Sequence, residues 1–509
     1  MTVATTTTHA ARVETSGTAP SLSVATRLGP ALRFRLDDVP PWRGELLASL
    51  VLPAADLLAL ARPDRCRLLR HLRSLLVPGG ELTVTTSGPE RGEADAALDA
   101  DGWLCGFEAR RRESDAGIVL TRPARHRPDG PALVSIVIPA YKPTFFREAL
   151  ASALAQTHPR CEIVVCDDSP GDGIAAVVTE LTGPDGTAGR HPVRYVRNPG
   201  TLGGRRNYLQ CFDLARGEYV KFLNDDDRLA PGAVARMAAV LDALPGVTLV
   251  TSYRRLIDHT GRTLPDEIVN KVPVDVDAVV DGRLQAAALL AGRVNVVGEP
   301  TTVMFRKADA VDNRPHLMSY AGRSARRNGD LHIWTTLLSR GDIAWLTDPL
   351  SDFRRHGAQV QRSDRFRAEA ELAWDELIAD AEQTGLLDDR GPRLLDPWPL
   401  PVLPADVDGL VDEGERHHEA GRSGEASRCW RAALLLGPRD PRVRNDLACH
   451  HWLEGRRSRA TGEALLAVAG IEAGTVAGPG LGDLLENLAA ILNGTGRRRE
   501  AAALVSRRW

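Results

Sequence analysis

Three consecutive acids close a short apolar run. In YVKFLNDDDRLAP (219–231) the stretch from Tyr219 to Leu223 stops at Asn224, Asp225, Asp226 and Asp227. In an extended chain alternate side chains share a face, so Asp225 and Asp227 would stand about 6–7 Å apart. At an effective dielectric near 20 their repulsion is roughly 2–3 kcal/mol. A divalent cation would turn that cost into a binding site, because hard cations take carboxylate oxygens. Helix capping is the competing reading: PGAVARMAAVLDAL follows with Pro231 in its first turn, and aspartate is favoured just before such a start. A second acidic end stands at CEIVVCDDS, where the run from Cys161 meets Asp167 and Asp168; turn chemistry is the plain alternative there.

These acids need strands to carry them. VSIVIPAY, from Val134, is a continuous apolar run, as expected of a strand buried on both faces of a parallel sheet. FFREALASALAQT reads as an amphipathic helix and CEIVVC as the next strand, which makes a βαβ unit. Its first strand ends in Pro139, Ala140 and Tyr141. Ligands of open α/β sheets bind beyond the carboxyl ends of the strands, so topology gathers the acidic ends at one edge.

The chain has 509 residues, enough for about three domains at roughly 100–200 residues each. With 43% hydrophobic and 26% charged residues and a net charge of −3, nothing calls for nucleic acid or an anionic membrane. No apolar run approaches the ~18 residues of a membrane span, and the first residues lack the apolar core of a signal peptide. The cysteines (66, 105, 161, 166, 211, 429 and 449) are scattered without a CxxC pair, so neither a zinc site nor a disulfide framework is indicated. A reducing cytoplasm is the expected location.

Residues 1–30 read as a disordered Thr/Ala-rich tail, and 31–127 as a small α/β unit. In DRCRLLRHLRSLLVPGGELTVT the leucines 68, 69, 72, 75 and 76 predict a helix, Pro78-Gly79-Gly80 a turn, and Glu81–Thr85 a strand. This segment resembles the later half of a class I methyltransferase domain. The glycine-rich loop that would hold a methyl donor is absent before it, which implies a structural remnant. HRPDGPA (126–132) reads as a linker, 128–365 as the central domain and 366–405 as a helical linker. In 406–509, Gly414, Gly421, Ala426, Trp430, Ala433 and Pro438 fall at the spacings of a tetratricopeptide repeat. Ala448, Gly455 and Ala460 repeat the frame 34 residues on, and Ala489, Gly496 and Ala501 repeat it after a further shift of seven. An unrelated helical bundle is the alternative.

Residues 133–362 resemble the family 2 glycosyltransferases. The ordered segments VSIVIPAYKP, EIVVCDDSPGDG, NPGTLGGRRN, GEYVKFLNDDDRLAP, VGEPTTVMFRK, GDLHIWTTLLSRG and DFRRHG carry the resemblance. It implies an α/β GT-A nucleotide-diphospho-sugar transferase fold, a Rossmann-like mixed sheet, flanked here by the small N-terminal α/β unit and a C-terminal all-α repeat domain. It also implies a nucleotide-sugar donor and a divalent metal, Mn²⁺ or Mg²⁺. By position in the motifs, Asp226 would ligate the metal, and Asp225 would hold the ribose hydroxyls or the metal's water shell. Asp168 would accept from a pyrimidine ring N–H, which points to a uridine diphosphate sugar. Pro139, Ala140 and Tyr141 would line the base pocket. Gly203 and Gly204 would let the backbone approach, and Arg206 would meet phosphate or base, with Arg205 its competitor.

On the acceptor side, Asp330 sits where the family places its general base, next to Gly329 where the family usually has another acid. His356 matches a histidine that reaches metal or diphosphate, and Gly298-Glu299-Pro300 would be acceptor wall. One base and one acceptor imply single displacement with inversion. The acceptor's hydroxyl or thiol would belong to a peptide, a protein or a small molecule, and the repeats offer a surface for it or for self-association. The rival expectation, kept open by Gly329, is a catalytically impaired nucleotide-sugar-binding scaffold.

Overall fold

The computed structural model describes residues 8–14, 21–24, 32–35, 47–85, 91–111, 117–124, 130–183, 190–357, 364–387, 394–472 and 481–506. The chain forms two compact units, His126–Pro397 and a second made of Met1–Arg125 with Trp398–Trp509.

In the first unit the strands of the main sheet are β1 (Val134–Ala140), β2 (Cys161–Asp167), β3 (Val193–Arg197), β4 (Tyr219–Phe222), β5 (Arg228–Leu229), β6 (Val247–Ile257), β7 (Ala278–Val280), β8 (Met304–Arg306) and β9 (Asp342–Arg354), and Ser319–Tyr320 pairs with Arg323–Ser324 apart from it. They line up as β3-β2-β1-β4-β8-β6-β9-β7, with β5 paired to β9. The first four are mutually parallel, so β1, β2 and β4 end at one edge, Ala140 facing Asp167 in register. β8 runs antiparallel between β4 and β6, which makes the sheet mixed. Every residue of β1, β2 and β4 is buried, the reason their sequences read as unbroken apolar runs.

Helices α1 (Pro143–Leu154), α2 (Gly173–Thr182), α3 (Gly204–Leu214), α4 (Ala233–Ala243), α5 (Gly282–Gly292), α6 (Gly329–Arg340) and α7 (Asp364–Gln383) complete the unit. The capping reading of the acids is corrected by α4, whose N-cap is Gly232, with the strand β5 lying between it and Asp227. The linker reading of 366–405 also needs correction. α7 buries Ala373, Trp374, Leu377 and Ala381 at helical spacing. Its acids Glu369, Glu376 and Asp380 pair with Arg327, Arg326 and Arg323 at 2.5, 2.9 and 2.8 Å.

The other unit contains a seven-stranded sheet in the order 32–35, 21–24, 8–14, 47–53, 76–85, 118–121, 108–111. Thr8–Glu14 and Ser21–Val24 fall inside the segment expected to be disordered, yet both are strands. Ladder pairing, of Thr8–Glu14 in parallel with Leu47–Pro53 and antiparallel with Ser21–Val24, gives them partners that a Thr/Ala-rich composition does not advertise. The Pro-Gly-Gly turn is absorbed into the strand Leu76–Thr85: Leu47 pairs with Leu76 and Ser49 with Glu81, so residues 77–80 bulge out, with Gly79 at φ +79°.

The C-terminal part is helical, with consecutive helices Val407–Glu419, Ser423–Leu436, Pro441–Leu453, Arg457–Glu472, Leu481–Gly494 and Arg498–Ser506. Gly421, Gly455 and Gly496 turn the chain within each pair at φ +71°, +72° and +84°. A Cβ on Gly414 would lie 2.5 Å from the Trp430 indole nitrogen, so that helix pair packs backbone against ring. No helix among the described residues is long and apolar enough to cross a membrane.

Candidate active site

The turn after β4 puts its three acids into three different environments. Asp225 Oδ2 accepts the backbone N–H groups of Tyr141 and Lys142, each at 2.7 Å, and so ties the end of β1 to the end of β4. Burial, with a smaller push from Asp226, raises its carboxyl to about 6 against those two donors. Asp227 is fully buried. It accepts from Thr301 Oγ1 at 2.6 Å, Asn224 Nδ2 at 3.2 Å and the Arg354 amide at 3.0 Å, and burial followed by Asp226 pushes it well above the carboxylate range. Asp227 is therefore a structural acid of the turn.

Between them, Asp226 is half-buried and has one carboxylate oxygen 3.0 Å from His356 Nε2. Arg354 sets this pair. Its Nε donates to the Asp226 carbonyl at 2.8 Å, Nη2 donates to Glu148 at 2.7 Å, and its guanidinium lies 4.3 Å over the Phe145 ring. One carboxylate and one imidazole converging at the end of a parallel strand are groups that would hold a divalent ion.

The neighbouring strand end is organised differently. Asp168 accepts from Asn198 Nδ2 at 2.8 Å and from the amides of Leu202 and Gly203 at 2.6 and 2.9 Å. Asp167 accepts from the Ser169 amide at 2.9 Å and the Tyr195 hydroxyl at 2.6 Å. Gly203, at φ +85°, is the N-cap residue of α3, and a Cβ there would meet nothing, so the left-handed backbone rather than crowding asks for glycine. Pro139 and Ala140 are buried in β1, whereas Tyr141 is 47% exposed beside the acids. Arg206 is exposed and forms no hydrogen bond or ion pair among the described residues, while Arg205 donates to the Ala325 carbonyl at 2.9 Å.

Asp330 occupies the second position of α6, whose N-cap is Asn328, so it is not the capping residue. It is half-buried, and its Oδ2 accepts from Asn295 Nδ2 at 2.9 Å. Burial, then Glu299, pushes its carboxyl up to about 6. Glu299 pairs with the buried Arg254 at 2.6 Å. Trp334, one turn on, donates its indole N–H to the Gly298 carbonyl at 3.0 Å, which fixes the Gly-Glu-Pro segment against α6. A Cβ on Gly329 would meet Met318 Sδ at 2.6 Å, so the place of the family's other acid is filled by methionine. His332 is buried, and burial lowers it to about 4.

Sequence reasoning did not single out Tyr208, Asn207, Asn295 or Arg354. Tyr208, on α3, donates to Asn224 Oδ1. Its hydroxyl is held well above its usual range by burial and then by Asp226, Asp225, Asp227 and Asp330, so both acidic groups act on one point. Asn207 donates to the Cys166 carbonyl at 3.0 Å and fastens α3 to β2. A third group lies outside this unit: Glu413 and His417, one helical turn apart, gather with Cys429. Arg422 Nε donates to His417 Nδ1 at 2.8 Å there, while Nε2 is the nitrogen that faces Glu413, 3.8 Å away.

A Glycosyl transferase family 2 model matches residues 135–308. An uncharacterized protein of Mycobacterium tuberculosis (strain CDC 1551 / Oshkosh) is 30% identical over 246 residues, 45% of this chain and 69% of that protein. The putative teichuronic acid biosynthesis glycosyltransferase TuaG of Bacillus subtilis (strain 168) is 31% identical over 244 residues, 48% of this chain and 86% of that one. Among solved structures, S. aureus TarS 1-349 in complex with UDP covers 72% of this chain and 92% of its own at 16% identity, with a TM-score of 0.36.

Proposed function

The chain belongs to glycosyl transferase family 2 and is a glycosyltransferase, and on that premise we propose that it moves a sugar from a uridine diphosphate sugar to an acceptor hydroxyl or thiol, with inversion, using a divalent metal held by Asp226 and His356. The 3.0 Å approach of those two side chains, from strand ends 130 residues apart, carries the reading. When bound, the metal supplies Lewis-acid stabilisation of the diphosphate leaving group.

The chain's own residues do the rest. Asp225 keeps Tyr141 at the lip of the base pocket through the two amides it holds. Asp168 has three donors on a carboxylate with about four lone-pair sites. The remaining site accepts the ring N–H of uracil. Arg206, exposed and without a hydrogen bond or ion pair among the described residues, would meet phosphate. Asp330 takes the acceptor proton as the acceptor atom bonds to the anomeric carbon, and the bond from that carbon to the diphosphate oxygen breaks on the opposite face. A carboxyl raised to about 6 suits a base working near neutrality. Asp330 keeps this environment although Met318 fills the space beside Gly329, which favours an active enzyme over a nucleotide-sugar-binding scaffold.

We read the helical pairs as tetratricopeptide-like repeats that present a peptide or small-molecule acceptor or a second copy of the chain. The N-terminal unit we read as a methyltransferase-like remnant without its donor loop. The seven free cysteines accord with a reducing cytoplasm. A panel of nucleotide sugars assayed for nucleoside diphosphate release, with Mn²⁺ or with chelator, tests the function. Metal-dependent release from a uridine diphosphate sugar is expected; full activity in chelator contradicts the metal assignment, and release from guanosine diphosphate sugars alone contradicts the nucleotide.

A further inference from the structure

The loop between α5 and β8 is built around Asn295. Its Nδ2 donates to Asp330 Oδ2 at 2.9 Å and to the Gly298 carbonyl at 3.1 Å, and its Oδ1 accepts the Gly298 amide at 3.1 Å. The amide orientation is fixed by this pattern, because a flipped amide would put oxygen against a carboxylate and a carbonyl and nitrogen against an N–H. All the hydrogen-bonding capacity of the Asn295 side chain is used but one lone pair. Gly298 is closed in as well: at φ +113°, a Cβ would meet Thr302 Oγ1 at 2.8 Å and Arg254 Nη1 at 3.0 Å. The Trp334 indole clamps the same carbonyl from α6. Loop and helix thus hold one another at the position of Asp330, and Glu299 follows directly on the clamped glycine.

We propose that Asn295 and Glu299 are positioning residues for Asp330: Asn295 engages its Oδ2 and leaves Oδ1 to the acceptor, while Glu299, tethered by Arg254, holds a second negative charge against it. This rests on reading Asp330 as the general base. The two residues act on that base in opposite senses. A hydrogen bond donated to a carboxylate favours its charged form, and a like charge disfavours it. The order of influences agrees: burial and then Glu299 raise Asp330, whereas its own and the Leu331 amide and the Asn295 side chain lower it. The Tyr208 hydroxyl on α3, neutral in the working range, also feels Asp330, and Arg254 on β6 is engaged with Glu299.

The test reads Asp330 directly in the full-length protein. With aspartate labelled at ¹³Cγ, the resonance missing from Asp330→Asn identifies the residue, and its midpoint is followed from about pH 4 to pH 8 by NMR. Glu299→Gln should lower the midpoint by about one pH unit, and Asn295→Asp should raise it by at least as much. The acid limb of diphosphate release from UDP-glucose, with water as acceptor and Mn²⁺ present, should move the same way. Two variants that melt at lower temperature but leave the midpoint in place would overturn the proposal, since a packing role moves stability and not titration. If Glu299→Gln leaves Arg254 uncompensated and fails to fold, Asn295→Asp decides alone. An Asp330→Asn enzyme that keeps full release tells against the base reading itself, separately from the titration.

Discussion

The two acidic strand ends, Asp167-Asp168 after β2 and Asp225–Asp227 after β4, look alike in sequence and are built in opposite ways. At the first, every carboxylate has donors. Asp168 takes three and Asp167 two, the same numbers that Asp227 and Asp225 take at the second. At the second, Asp226 has His356 as its side-chain partner while its neighbours are driven toward the protonated form by burial and by Asp226 itself. The first end orders a loop. The second stores unfavourable charge at a strand edge, and its turn is held by Arg354, Thr301 and Tyr208 against that repulsion. Mutual repulsion, not the number of acids, distinguishes the second end from the first.

Removing the acid that carries this charge should have the largest consequence. Asp226→Ala should reduce transfer about 10³-fold or more, equivalent to about 4 kcal/mol, with the melting temperature kept or raised. Diphosphate release and thermal unfolding measured together check both halves. Asp330→Asn should cost about 10²–10³-fold in turnover with donor affinity unchanged, and the fall in wild-type rate below pH about 6, where Asp330 takes up its proton, should be absent from the variant.

The loop-ordering end should respond in the other currency. Asp168→Asn sets an amide N–H against a backbone N–H, so it should destabilise the fold by about 1–3 kcal/mol. It should also weaken nucleotide binding about tenfold, without altering the pH profile. Denaturant unfolding and calorimetry read the two effects. The smallest effect has the opposite sign. Asp225 is raised to about 6 from 3.8, so the folded protein binds more protons than the unfolded chain between those values and its stability falls as pH rises through them. Asp225→Asn removes that loss. It should stabilise the protein by about 1–2 kcal/mol at pH 7 and by nothing at pH 4. Destabilisation at pH 7 would show that the two acidic ends are of one kind.

Much of the central fold was legible because parallel strands buried on both faces leave unbroken apolar runs such as Val134–Ala140 and Cys161–Asp167. The meeting of Asp226 with His356, or of Asp330 with Asn295, was not. Those pairs join residues far apart in sequence, and only resemblance to a family placed Asp226, His356 and Asp330. The organising roles of Asp168 and Asp227 were hidden for a related reason: their donors are backbone amides of Leu202, Gly203 and Arg354, and amides carry no sequence signal. Tyr208 carries no sequence signal of its own, and only the fold brings its hydroxyl to the acids. α7 passed for a linker because its many acids masked the apolar spacing of Ala373, Trp374, Leu377 and Ala381. The N-terminal strands Thr8–Glu14 and Ser21–Val24 were masked by small and hydroxylated residues.

The central claim is that Asp226 and His356 make donor binding depend on a divalent metal. Calorimetric titration of UDP into the full-length protein, with Mn²⁺ and with chelator, tests it most directly. The account predicts that Mn²⁺ tightens UDP binding about tenfold or more, and that Asp226→Asn abolishes this gain while leaving the metal-free affinity in place. Equal UDP affinity with Mn²⁺ and with chelator in the wild-type protein would contradict it.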